Sequence, residues 1–266
     1  MAEARAAGRP LVVRSVVPAR LGAADRTALH RLGWATRHDT RRTDESLLGR
    51  ALARTLVAGW ARCPAGAVTI AVAGTGQPRA VIAGRPGPAF SLTHDGGHVA
   101  VTVAPPGSLV GIDLDAASAV DDRILERVFA AADVTRVRNA PAAERAIQFA
   151  RLWTAAEACL KATGAGVTGL LRRLPALGPG PRGGWADNDL RWQTADDEAR
   201  GVLALAGSAG LDLAGVTDVV PVPAGSLIRA GPAQLTVRNG ARVARIWSAA
   251  PQSGSNWAST ARCCRS

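Results

Sequence analysis

At 266 residues the chain is long enough to bury a sizeable core in one large domain or two smaller ones, and 47% apolar with 20% charged residues argues against disorder. The net charge of +11 admits nucleic acid, an anionic membrane, an acidic protein or a polyanionic cofactor as partner. No uncharged apolar run approaches a membrane span, no long basic run or zinc-finger spacing points to nucleic acid, and Cys63, Cys159, Cys263 and Cys264 lack any C-x-x-C spacing, so neither a zinc site nor a disulfide scaffold is indicated and a reducing, cytoplasmic setting is expected.

In chain order, Leu11-Val12-Val13 is broken by Arg14, so no secretory h-region is expected there. From Asp44, as N-cap, to Trp60 the residues Leu47, Leu48, Ala51, Leu52, Thr55 and Leu56 recur at helical spacing. Short β-like runs follow at Val68 to Ala73, Ala89 to Leu92, His98 to Val103 and Leu109 to Leu114, separated by Gly- and Pro-containing turns. Helical periodicity returns from Asp121 to Phe129, then in a longer element starting near Pro141 and ending before Gly164. Beyond Leu174 the chain is rich in Gly and Pro, with strand-like stretches at Val202 to Leu205, Val216 to Val222 and Leu235 to Ile246, and a Ser-rich tail from Gln252 to Ser266. This order predicts an α+β protein whose two similar halves meet near Pro105-Pro106-Gly107: residues 1–107, residues 108–250 and a disordered tail, 251–266. With no Tyr and three Phe, the seven Trp supply much of the bulk in a core of small residues.

Four features carry chemistry. Asp113 and Asp115 stand at i and i+2 of a predicted strand, so both carboxylates share a face and Ile112 and Leu114 take the other. Two such charges can bracket a hard cation, Mg²⁺ or Ca²⁺, although an isolated D-x-D equally suits a solvated acidic turn. Glu157 and Lys161 lie one helical turn apart beside apolar Trp153 and Leu160, either as a surface pair or pointing inward to join the aspartates. Lys161 is the one lysine among 32 cationic residues, and a compact ammonium suits a phosphate oxygen where a guanidinium fork does not fit. His94 ends a strand in the turn His-Asp-Gly-Gly, where free backbone N–H groups can meet an anion. Arg37, Arg41 and Arg42 can clamp a terminal phosphate or form an ordinary solvated run.

As an ordered series these segments resemble 4'-phosphopantetheinyl transferases of the surfactin-synthetase-activating type, from about Arg37 to Gly169. Gly76-Gln77-Pro78 is similar to the family's G-K-P turn, Phe90 to His94 to F-N-x-S-H, and Val110 to Asp115 to G-[IV]-D-[IV]-E. Phe149 to Lys161 is similar to F-x-x-x-W-[ST]-x-K-E-[AS]-x-x-K. Five departures stand out: Gln77 for lysine, Thr93 and Asp95 for serines, Asp115 for glutamate and Ala156 for lysine.

The resemblance implies two α+β halves related by a pseudo-two-fold axis, with the active site in the cleft between them. It also implies coenzyme A as donor, a serine of an apo acyl or peptidyl carrier protein as acceptor, and release of 3',5'-adenosine bisphosphate. Asp113, Asp115 and Glu157 would hold Mg²⁺, or Mn²⁺, while Glu157, Lys161 and His94 would be catalytic. Arg37, Arg41, Arg42, Gln77, Pro78, Thr93, His94 and Lys161 would contact the cofactor. Ile124, Leu125, Val128 and Phe129 would form the carrier-docking surface or pack in the core. The expected protein is a monomer of secondary metabolism, serving polyketide, nonribosomal-peptide or fatty-acid synthesis, with an acidic carrier and neither nucleic acid nor membrane as partner. A lysine at position 156 is expected to raise activity if the missing cation is limiting. Two alternatives stand beside this reading: a degenerate relative that binds coenzyme A or a carrier without turnover, and a basic nucleic-acid-binding protein.

Overall fold

Strand β1 (Leu11–Val16) alternates faces along its length, with Val13 in one apolar cluster and Val12 in another. The computed structural model in which it is seen describes residues 9–18, 21–34, 43–72, 74, 76–117, 120–166, 174–185, 189–197, 201–216, 220–221, 224, 234–239 and 242–248. Arg37, Arg41, Arg42, the Cys263-Cys264 pair and the whole of the expected tail lie outside the described residues.

After β1 come helices α1 (Ala23–Leu32) and α2 (Asp44–Ala61). The cap of α2 is Thr43, whose Oγ1 accepts from the Ser46 N–H at 3.2 Å, not the expected Asp44. Asp44 instead sits in the first turn, where a negative charge suits the helix dipole, and is paired with Arg26 at 2.8 Å. Leu47, Leu48, Ala51, Leu52, Thr55 and Leu56 are all buried, as their spacing predicts. Among the described residues Arg54 on this helix binds no carboxylate; it donates to the carbonyls of Gly33, Ala65 and Val68, tying both stretches to α2.

Strands β2 (Val68–Val72), β3 (Pro78–Ile82) and β4 (Arg85–Pro86) form a small antiparallel sheet. Strands β5 (Ala89–Asp95) and β6 (His98–Ala104) make a hairpin that joins β1 through β6. With β11 (Val220–Pro221) parallel to β1, the first four-stranded sheet reads β11-β1-β6-β5. The second contains β7 (Val110–Asp115), β8 (Arg182–Trp185), β9 (Leu190–Asp197) and β10 (Gly201–Ser208) in the antiparallel order β7-β10-β9-β8. Helices α3 (Asp122–Val128), α4 (Ala131–Asn139) and α5 (Arg145–Thr163) fall between β7 and β8, and β12 (Gln234–Asn239) and β13 (Arg242–Ser248) form a final hairpin. Among the described residues no helix is long and apolar enough to cross a membrane.

The layers follow from side-chain alternation. Helix α2 covers one face of the first sheet, packing Leu48 and Leu52 with Val99, Val101 and Val103. Helix α5 covers the second sheet, with Ala155, Ala158 and Cys159 clustered with Ala204 and Ala206. The two sheets face each other across Val12, Ala100, Ile112, Leu114, Leu203 and Leu205. This mixed α+β arrangement buries small residues in quantity, as the composition suggests, because helix and sheet backbones approach closely.

Several elements depart from the sequence reading. Helix α5 begins at Arg145, since Pro141 opens a hydrogen-bonded turn in which the Glu144 N–H reaches the Pro141 carbonyl at 2.8 Å. Strands β1, β3, β8 and β9 and helices α1 and α4 carry no sharp periodic signal and emerge only in the folded chain. Of the two alternatives for these residues, Leu125, Val128 and Phe129 take core packing, buried with α5, and Ile124 is half-buried against the same cluster.

Candidate functional site

Gly111 brings the acidic strand and the long helix together. A Cβ built on it would lie 1.9 Å from the Ala158 carbonyl oxygen and 2.6 Å from the Ala162 nitrogen, so the backbone of α5 rests directly on β7 at this point. Only glycine permits this approach. Two residues further along β7, Asp113 is 5% exposed and turned toward α5, while Ile112 and Leu114 enter the apolar layer between the sheets. Lys161 reaches it: Nζ donates to Asp113 Oδ1 at 2.6 Å.

The two sheets meet at β5 and β7 through side chains. Ser91 Oγ accepts from the Ile112 N–H at 3.2 Å, Thr93 Oγ1 donates to Asp113 Oδ1 at 2.9 Å, and Asp95 Oδ2 accepts from the Ala116 N–H at 2.8 Å. Positions 91, 93 and 95 repeat with period two, so one face of β5 delivers all three groups. Thr93 and Asp95, read from sequence as departures beside the histidine, thus hold the acidic strand, and the Thr93 hydroxyl lies on Asp113.

The electrostatics mark the same place. Burial, and then the charge of Asp113, push the Glu157 carboxyl above its ordinary value, while Lys161 pulls it down. Burial likewise raises Asp115; the Ala117 N–H, 2.6 Å from its Oδ1, opposes this, and the charges of Asp95 and Asp113 add to it. Asp113 is therefore an electrostatic neighbour of both Asp115 and Glu157. The three are not preassembled as a metal cage: among the described residues no three Asp, Glu, His or Cys side chains stand together at metal-binding spacing. Lys161 lies on Asp113, and the Ala117 N–H holds Asp115. The donor set nonetheless fits a hard divalent cation, because all the donors are carboxylate oxygens and added positive charge would relieve the burial and repulsion that raise Glu157 and Asp115.

His94 is paired at Nδ1 with Glu45 Oε2 at 3.3 Å, and Glu45 Oε1 accepts the Gly97 N–H at 2.7 Å. Glu45, from the first turn of α2, holds both the histidine and the β5–β6 turn, a role its position in a charged N-terminal turn did not disclose. Gln77 Nε2 donates to the backbone carbonyl of Lys161 at 3.0 Å, and Pro78 begins β3 beside it. Ala156 is fully buried among apolar residues of α5, so a lysine there would bury an ammonium, which argues against the expectation that it raises activity. The aromatic residues of the same helix are packing residues: Phe149 stacks on Trp153 at 6.3 Å, and both meet Phe129 edge-on. Phe90 similarly meets Trp34 edge-on at 5.9 Å.

A cavity of ≈ 240 Å³ lined by Gln148, Arg151, Leu152, Arg136, Trp192 and Thr194, among others, lies elsewhere. At 3.6 residues per turn, Gln148 and Leu152 project from the opposite side of α5 to Glu157 and Lys161. Arg151 at its edge is paired with Asp196.

Residues 109–178 match the model of the 4'-phosphopantetheinyl transferase superfamily. The chain is 34% identical over 132 residues to the 4'-phosphopantetheinyl transferase psf-1 of Bacillus pumilus, covering 49% of this chain and 53% of that protein. It is 32% identical over 101 residues, 37% of this chain and 41% of the relative, to slr0495 of Synechocystis sp. (strain ATCC 27184 / PCC 6803 / Kazusa), whose name provisionally assigns it the same activity. The chain thus spans about half the length, or less, of these curated relatives, and its segment 109–178, which holds Asp113, Asp115, Glu157 and Lys161, is similar to the 4'-phosphopantetheinyl transferase superfamily.

Proposed function

We propose that this protein transfers the 4'-phosphopantetheine group of coenzyme A to a serine of an apo acyl or peptidyl carrier protein, releasing 3',5'-adenosine bisphosphate. The observation that carries the reading is the convergence of Asp113, Glu157 and Lys161 where α5 lies on β7, inside the segment similar to these transferases. The cofactor would lie between two halves, residues 1–107 and 108–250, related by a pseudo-two-fold axis, and the protein would act as a monomer in the cytoplasm. That each four-stranded sheet carries one long helix supports two such halves, with β11 of the second half crossing over to pair with β1 in the first sheet.

Asp113, Asp115 and Glu157 would hold Mg²⁺, which when bound supplies charge neutralisation on the diphosphate. Lys161 offsets charge on the diphosphate oxygens as the serine oxygen forms its bond to the phosphorus nearer the pantetheine and the bond to the leaving bisphosphate breaks. Glu157, whose raised pKa brings it nearer the working pH, accepts the serine proton directly or through water. His94, oriented by Glu45, presents its ring to a phosphate oxygen. Of the remaining cofactor contacts in this reading, Arg37, Arg41 and Arg42 lie outside the described residues, and Thr93 and Pro78 border the site.

The test is the intact mass of apo carrier proteins incubated with this protein, coenzyme A and Mg²⁺, with an EDTA control. A metal-dependent gain of one phosphopantetheine is expected, and Asp113→Ala and Glu157→Ala abolish it. No gain across several carriers, with coenzyme A still bound, moves the reading to a binding protein without turnover.

A further inference from the structure

We propose that Gln77 is a positioning residue that fixes Lys161 by holding its backbone carbonyl, so that the turn between β2 and β3 sets the reach of the ammonium in the site. The last carbonyls of a helix have no intrahelical donor. The Lys161 carbonyl receives the Gly164 N–H at a long 3.3 Å and the Gln77 Nε2 at 3.0 Å. The two residues are 84 apart in sequence, one just before β3 in the small antiparallel sheet and the other on the helix that covers the second four-stranded sheet.

Gly164 makes room for this contact. Its φ is +74°, the left-handed conformation that ends α5, and a Cβ there would lie 2.6 Å from Gln77 Oε1. Lys161 is therefore held at both ends, its carbonyl by Gln77 and its Nζ by Asp113 at 2.6 Å. A lysine side chain is a flexible stem, so its backbone position decides where the ammonium can stand. The sequence alone casts Gln77 as a weakened cofactor contact; its amide lies instead on the helix that carries the ammonium.

Because Lys161 is the one lysine in the chain, protein grown with carbon-13-labelled lysine gives a single side-chain signal. Asp113→Asn shifts that signal and so marks the ion pair. Gln77→Glu, which keeps the shape but replaces the donor by an acceptor facing a carbonyl, shifts and broadens it without a loss of Tm. Gln77→Arg, which restores an N–H donor, leaves it near the wild-type position. A signal indifferent to Gln77→Glu overturns the inference.

The consequence for turnover rests on the transferase reading. Gln77→Glu lowers kcat on the order of ten-fold with KM for coenzyme A unchanged, as a displaced catalytic group does. A raised KM at unchanged kcat would make Gln77 a substrate contact and overturn the positioning role. Wild-type protein that loads no carrier refutes the transferase reading, and the lysine signal still decides the role of Gln77.

Discussion

Lys161 shares Asp113 Oδ1 with the Thr93 hydroxyl, at 2.6 Å and 2.9 Å. Arginine would bring a planar fork there, so Lys161→Arg is expected to lower carrier loading on the order of 10²-fold while the protein stays folded, measured as kcat/KM beside a melting curve. Glu157 gives a pH prediction of definite sign. Its folded-state pKa is raised, so ionisation weakens the native state: the penalty is absent below the unfolded carboxyl pKa and complete above the folded one. Glu157→Gln in EDTA should therefore raise the urea midpoint at pH about 7.5, with the gain shrinking as pH falls toward the unfolded value of about 4.3. A midpoint lowered at neutral pH would contradict the burial of that carboxylate. Both residues were legible in the sequence by spacing and rarity. Glu45 was not, because a carboxylate in a helix's first turn has a sufficient local explanation in the dipole, and only the fold brings His94 to it.

The contact of α5 with β7 depends on Gly111. Gly111→Ala places a methyl 1.9 Å from the Ala158 carbonyl oxygen, and the helix cannot withdraw without opening the cluster beneath Ala155, Ala158 and Cys159. A loss of about 3 kcal/mol in denaturant titration is expected, the upper part of the range for overpacked cores. Carrier loading should fall further than the folded fraction, since separating helix from strand moves Lys161 off Asp113. The periodicity of α5 was readable, but its first residue was not, because Pro141 suits a helix's first turn and an isolated turn equally well. A β-like run from Ala89 to Leu92 was readable too, yet the use of the polar face of β5 was hidden: Ser91 and Thr93 find partners on β7, a strand they do not pair with in any ladder, and Asp95 finds Ala116 just past it.

At the scale of the molecule, in the proposed reading the net charge of +11 would steer an acidic carrier and the phosphates of coenzyme A toward the protein. Raising salt through the physiological range should therefore raise KM for an acidic carrier by lowering the association rate, with kcat little changed; a KM indifferent to salt would remove charge steering from the proposal. Not every arginine serves that field fully, since Arg151 is neutralised by Asp196. The sequence by itself determined the α+β class, the long buried helices, the acidic strand and the Glu157–Lys161 helix, because each is written in local period or spacing. Only the tertiary structure decided that Asp113 faces Lys161, that β5 braces β7, that Gln77 holds the end of α5 and that Ala156 is core. Each of these joins residues distant in sequence, and such contacts depend on which faces the packed sheets and helices bring together, a matter no local pattern encodes.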